Sequence, residues 1–238
     1  MKILILILLL ITNSVYSQIS SGKIRYSTRF NVKVILQDTK PNPHLKSMYE
    51  NVEAEVERSN SFLIFNQDSS EFKTEPNLPL DKNKAAHSLA QGIISSGIHF
   101  VKKDEYINLR KVSGKTFRIK EIQSIDWEIT RDVGMIKGYK VYRAYGNKYF
   151  INAVSGNARQ IKIEAWFAPA INFSYGPKGY HGLPGLILQL EDGPITFFAE
   201  DINLFQKDNL NIKWPSEGVL ISKEDYDRII GENLKNMF

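Results

Sequence analysis

Apolar and polar residues alternate from Gly22 to Val34, with Ile24, Tyr26 and Thr28 set between Lys23, Arg25 and Ser27. Such period-two alternation predicts a strand with one buried face. The period changes after Asn42-Pro43. Leu45, Met48, Tyr49, Val52 and Val56 recur at helical spacing, while Glu50, Glu53, Glu55 and Glu57 fall mostly off that stripe. Asn as cap and Pro at the first helical position complete a predicted helix over Pro43 to Arg58. Ser61 to Asn66 and Glu71 to Thr74 read as a hairpin around Gln67-Asp68-Ser69-Ser70, Pro76 to Pro79 as a break, and Ala85 to Ile94 as a short helix weakened by Gly92.

From Ile98 strand signals follow one another without a helix between them. They cover Ile98 to Val101, Tyr106 to Lys111, Lys115 to Ile122, Trp127 to Thr130, Gly138 to Tyr145, Lys148 to Asn152, Arg159 to Ala168, Leu186 to Glu191 and Ile195 to Leu204. Gly114, Gly134, Gly146, Gly156 and Gly193-Pro194 punctuate them, which argues an antiparallel meander. A last helix fits Lys223 to Asn236: Ser222 is its cap, Asp225 stands at capping-box spacing, and Tyr226, Ile229, Ile230 and Leu234 form its stripe. The expected class is α+β: a long, curved, half-barrel-like antiparallel sheet with two or three helices on its concave face. So few helices on so long a sheet suggest a groove between the helix near Met48 and the one near Ile230.

The chain starts differently. Lys2 precedes an unbroken apolar run, Ile3 to Ile11, and Thr12 to Ser17 is a polar exit with Val15-x-Ser17 at its end. This is the pattern of a signal peptide over Met1 to Ser17, cut before Gln18. The run is shorter than the roughly 20 apolar residues a spanning helix needs. After Gln18 no stretch is apolar enough to span as a helix, so residues 18–238 are expected to form a single domain in the periplasm or outside the cell.

The 238 residues include no Cys, which excludes disulfides, thiolate metal sites and Cys nucleophiles. The net charge is +5, and removing a leader whose one charge is Lys2 leaves +4. Basic residues are scattered, as in Lys102-Lys103 or Arg118 and Lys120, and not clustered as nucleic-acid binding requires. There is no G-x-S-x-G, H-E-x-x-H, P-loop or dinucleotide fingerprint. No catalytic set, cofactor or metal site is therefore assigned. His44, His87 and His99 lie in separate segments without ligand spacing, and Glu191-Asp192-Gly193 reads as a turn.

The most informative segment is His181-Gly182-Leu183-Pro184-Gly185-Leu186-Ile187. Pro184 followed by Gly185 matches a type II turn, with positive φ at the glycine, launching a buried strand at Leu186 and Ile187. Gly176-Pro177-Lys178-Gly179 forms a second turn upstream. Trp166-Phe167, Gly176-Pro177 and Gly182 to Ile187, in that order, resemble the GLPGLI family of exported Bacteroidetes envelope proteins. Trp127, Gly138-Tyr139-Lys140 and Arg143-Ala144 resemble its preceding strands. The resemblance implies an envelope protein of largely unknown function with a half-barrel shape similar to lipoprotein carriers. Many members have Cys where Val141 stands here, so a thiol role is closed to this chain.

Candidate contact residues are Glu164, Trp166, Tyr180 and His181. Glu164 and Trp166, two apart in a strand, share a face, although a carboxylate there is more often simply solvated. His181 beside the turn is either a turn-pinning hydrogen bonder or a functional group. The expected function is a non-catalytic envelope module binding an apolar or extended ligand, or docking on an outer-membrane protein. The alternative is a hydrolase-like enzyme pairing His181 with a carboxylate.

Overall fold

The computed structural model describes residues 19–32, 43–75, 77–78, 84–94, 97–103, 105–121, 125–151, 158–206 and 210–235. The leader with its cut before Gln18, the Asn42 cap, the strand and helix ends at Val34, Ile122, Asn152 and Asn236, Pro76, Pro79 and Gly156 lie outside them, as does the Leu234 side chain.

The first arm of the fold comprises β1 (Ser21–Phe30), α1 (Pro43–Glu57), β2 (Asn60–Asn66), β3 (Ser69–Thr74), α2 (Lys84–Ile94), β4 (Ile98–Lys102), β5 (Glu105–Val112) and β6 (Lys115–Glu121). The second comprises β7 (Glu128–Ile136), β8 (Tyr139–Ile151), β9 (Ala158–Ala168), β10 (Leu186–Asp192) and β11 (Ile195–Phe205), followed by β12 (Val219–Ser222) and α3 (Lys223–Lys235). Among the described residues one twelve-stranded open sheet contains every strand, in the order β12-β6-β5-β4-β3-β2-β1-β11-β10-β9-β8-β7. All pairs are antiparallel except β12 with β6. The α+β class and the antiparallel meander are thus as expected. The meander runs outward from β1 to β6, restarts at the opposite edge, and returns to β1 through β11.

That restart dictates curvature. In a flat sheet β6 and β7 would stand about 48 Å apart, from ten spacings of about 4.8 Å. Seven chain steps join Glu121 to Glu128, and a fully extended chain covers about 25 Å in that length. The sheet must curl until its two arms face each other. The arms differ from the expected strands in detail. The expected breaks at Gly134 and Gly146 fall inside β7 and β8. Gly146 marks a close approach: a Cβ there would overlap the Ile125 side chain. β12 has no counterpart among the expected strands, because its four residues borrow their pairing from β6 and carry no period of their own.

The inner face is legible from register. Gly22, Ile24 and Tyr26 on β1 face inward with Phe65, Leu63 and Ser61 opposite them on β2. Tyr26 reaches over β11, and its hydroxyl donates to the Ile187 carbonyl at 2.6 Å. That carbonyl is available because β10 slips register against β9 between Ile187 and Gln189. Val52 and Val56 of α1, and Ala86, Ala90 and Ile94 of α2, join the same core. Tyr226 of α3 packs edge-on to Phe117 at 5.7 Å. Ser222 caps α3 as expected, accepting from the Asp225 amide at 3.0 Å. The loop 169–185 adds Ile171, Phe173, Tyr175, Tyr180 and Leu183 to the core that α1 and α2 share.

Candidate ligand-binding site

This loop leaves β9, crosses the inner face and returns as β10. Leu186 N donates to Ile171 O at 3.0 Å, Ile187 N to Tyr175 O at 3.0 Å, and Gly185 N to Leu183 O at 2.8 Å. The last bond spans two residues, so Pro184 centres a γ-turn in place of the expected type II turn. The cause is competition: the Leu186 amide that would close a four-residue turn is taken by Ile171. Gly185 has positive φ as expected, +156°, and a Cβ there would stand 2.5 Å from the Ala168 carbonyl oxygen. Phe173 packs on Phe65 with centroids 4.6 Å apart and rings tilted by 52°, fixing the loop on the inner face.

A 3-10 turn, Pro177–Gly179, then carries the chain over β3 and β4. Its central residue, Lys178, is left-handed at φ 53°, a conformation costing about 1–2 kcal/mol for a side-chain-bearing residue. The Lys178 ammonium donates to Asp192 Oδ2 at 2.5 Å. The expected turn at Glu191-Asp192-Gly193 starts two positions later, at Gly193, and Asp192 is the buried last residue of β10, opposite Ile195. Burial alone would raise its pKa, but Lys178 and Lys148 prevail and hold the carboxyl below the usual range. Tyr180 is fully buried. Its hydroxyl lies near the Asp192 carboxylate yet makes no hydrogen bond of ordinary geometry.

The first arm supplies the opposite wall. His99 Nδ1 and the Tyr106 hydroxyl are 2.7 Å apart and share a hydrogen bond. Asn108 sits across from His99, and Arg110 follows on the same face. Burial first, then Lys178, Arg110 and Lys148, hold the His99 pKa well below its usual value, so this imidazole is neutral. Burial pushes the Tyr106 hydroxyl far upward.

Two cations complete the cluster. Lys148, on the inner face of β8, is half-buried with its ammonium 5.5 Å from the Tyr180 ring centre. Burial lowers its pKa, with Asp192 opposing and Lys178 adding to the shift. Arg110 lies over the Tyr226 ring at 5.4 Å, and its Nε is buried without a partner. Neither cation forms an ion pair with a carboxylate among the described residues. Trp127 borders the cluster, edge-on to Tyr180 at 6.4 Å, and its Nε1 donates to His181 O at 2.9 Å.

The four candidate contact residues divide between the two faces of the sheet. Tyr180 and His181 belong to the inner loop. His181 Nδ1 bonds Gly179 O at 2.8 Å, which pins the turn, and it bonds no carboxylate among the described residues. Glu164 and Trp166 do share a face and touch, Trp166 Nε1 donating to Glu164 Oε1 at 3.0 Å. That face is the outer one, because Ile163, Ala165 and Phe167 take the buried phase of β9. A histidine–carboxylate contact does occur elsewhere: His87 Nδ1 lies 3.0 Å from Glu55 Oε2 between α1 and α2. Among the described residues no three His, Asp or Glu side chains converge to hold a metal ion, and no helix is long and apolar enough to cross a membrane.

A family model described as "Protein of unknown function (Porph_ging)" matches residues 152–189, the span from β9 through the loop into β10. No curated relative matches the sequence. Among solved structures, PNGF-II in its C2 and P21 crystal forms shares the fold at 15% and 16% identity, each with a TM-score of 0.50 and 89% of this chain covered. The matched part is 32% and 33% of those chains, so this chain spans about a third of PNGF-II. An uncharacterized conserved protein from Thermus thermophilus matches at 8% identity and a TM-score of 0.34, over 75% of this chain and 98% of that one.

Proposed function

We propose that this chain is a GLPGLI-type envelope protein, exported by its leader, cut before Gln18, and acting as a non-catalytic binding module that takes its ligand at the inner polar cluster. One observation carries the reading. The loop 169–185 holds Lys178 in a left-handed conformation and buries Tyr180 with its hydroxyl unpartnered. Both are costs, about 1–2 kcal/mol for the backbone and about 1–3 kcal/mol for an unsatisfied buried hydroxyl. A fold that needed only a sheet cover could use an apolar residue at either place. Strained backbone and unsatisfied buried donors cluster at functional sites, and here they stand two residues apart in one loop.

Two further points support the reading. The motif that suggests the family lies inside the matched span 152–189. A fold that recurs as about a third of a longer chain suits a module working beside other parts. The apolar inner positions are covered by α1, α2, Phe173 and Tyr175, which favours recognition by polar groups over an apolar groove. Native mass spectrometry of protein isolated from the envelope tests this. The expected result is a chain starting at Gln18 with a co-purifying mass that is lost in Tyr180→Phe. A retained leader, or no bound mass in any preparation, would sink the proposal.

A further inference from the structure

We infer a second binding site, on the outer face of the sheet, whose ligand is a small neutral saccharide. The topology creates it. β11 and β12 are seven strand spacings apart, about 34 Å along the sheet. The fourteen chain steps from Phe205 to Val219 reach about 46 Å when fully extended. The segment 210–218 therefore has to cross the sheet, and it does so on the outer face. Phe100 pairs with Glu71 and Lys102 with Ser69, the phase of β3 and β4 that alternates with the inner Phe72 and Val101. Phe100 is nevertheless only 4% exposed, with Trp214 of the crossing segment packed edge-on to it at 6.0 Å.

Between this segment, the β2–β3 turn and the end of β4 is a cleft of about 320 Å³, with Asn66, Asp68, Lys102, Asn211 and Trp214 in its lining. That volume is at the small end of ligand sites. Asn66 fixes its walls to each other. The Nδ2 of this buried residue donates to Leu210 O at 2.8 Å, and its Oδ1 accepts from the Asp68 and Ser69 amides, each at 2.9 Å. One side chain thus holds both the turn and the crossing segment, and the cleft exists before any ligand enters it.

The groups left over set the chemistry of the ligand. Among the described residues the side chains of Asp68, Lys102 and Trp214 have no hydrogen-bond or ion-pair partner. Asp68 and Lys102 line one cleft without pairing with each other. One acid and one base leave the lining neutral, while Lys103 and Lys120 line the neighbouring surface with Glu105. A neutral ligand that offers donors and acceptors together matches this set. Sugar hydroxyls do both, donating to Asp68 and accepting from Lys102 and Asn211. Trp214, with Leu210 and Ile212 also in the lining, is the apolar surface for the C–H face of a pyranose ring.

Isothermal and tryptophan-fluorescence titrations of the full chain test this, with glucose, galactose, mannose, N-acetylglucosamine, maltose and cellobiose as probes and glycylglycine as a zwitterionic control. One or more of the sugars should bind saturably and change the fluorescence, and the change should vanish in Trp214→Leu. Asp68→Asn and Lys102→Met should each weaken that sugar about tenfold. Both should leave Tm unchanged, since these exposed side chains hold nothing in the free protein. Tyr180→Phe should leave sugar binding intact, which separates this site from the inner cluster. Saturable binding of no sugar, or binding indifferent to Asp68→Asn and Lys102→Met, would overturn the inference. Glycylglycine bound more tightly than every sugar would refute the neutral class. Sugar binding lost in Tyr180→Phe and kept in Asp68→Asn would refute the outer site and leave the inner one standing.

Discussion

Gly185→Ala isolates the closure of the loop. Gly185 has φ +156°, and the added methyl would stand 2.5 Å from the Ala168 oxygen, 2.6 Å from its carbonyl carbon and 2.8 Å from Pro169 Cα. All three are backbone atoms of the strand end from which the loop departs, so no side-chain rotation relieves the contact. The conformational penalty is about 1–2 kcal/mol, and overpacking adds about 1–3 kcal/mol. Gly114→Ala supplies the control. Gly114 has φ +79° with open space around its Cβ position, so only the conformational part applies. The gain from stiffening the unfolded chain, about 0.4–1 kcal/mol, is common to both variants and cancels. Gly185→Ala should therefore be less stable than Gly114→Ala by about 1–3 kcal/mol. A chain of this size loses about 2–4 °C of Tm per kcal/mol, so the two melts should differ by roughly 2–12 °C. Calorimetry of both variants checks it. If Gly185→Ala melts with Gly114→Ala or above it, the strand end is not a rigid neighbour and the account of the loop is wrong.

Tyr26→Phe removes the bond to Ile187 O and should cost about 1–3 kcal/mol, seen as a lower urea midpoint with unchanged slope; an unchanged midpoint would deny the bond. His99 has a folded pKa below its unfolded value near 6.5. The unfolded chain thus binds the extra proton first, and stability should fall as pH drops through about 6.5. By NMR the His99 ring should stay neutral where an exposed histidine titrates, and an ordinary midpoint would contradict its burial. Asp192 is depressed, so its contribution is present above the unfolded value near 3.9 and lost as pH falls through the folded value. Asp192→Asn should remove that acid limb and, by stranding Lys178, lower stability at neutral pH by up to about 3 kcal/mol, measured by urea unfolding across pH.

Periodicity determined most elements of this protein, though not β12 or the continuity of β7 and β8. Ile24, Tyr26 and Thr28 alternate with charge because β1 has one wet and one dry face, and Ser222 with Asp225 announces α3 because a helix start must satisfy its own amides. The positive φ of Gly185 was legible for the same reason, since it is a local demand of the turn. Three things were decided only in three dimensions. Alternation shows that Glu164 and Trp166 share a face but is symmetric between inside and outside, and only the buried phase of Ile163 and Ala165 breaks that symmetry. The γ-turn arose because Ile171, far along the loop, competes for the Leu186 amide. The polar cluster was the least legible, since His99, Lys148 and Asp192 each look like ordinary strand or turn residues. They meet because seven chain steps between β6 and β7 force a twelve-stranded sheet to curl. Once two arms distant in sequence face each other across a shared interior, the charge of that interior is a sum over both, and no single segment contains it.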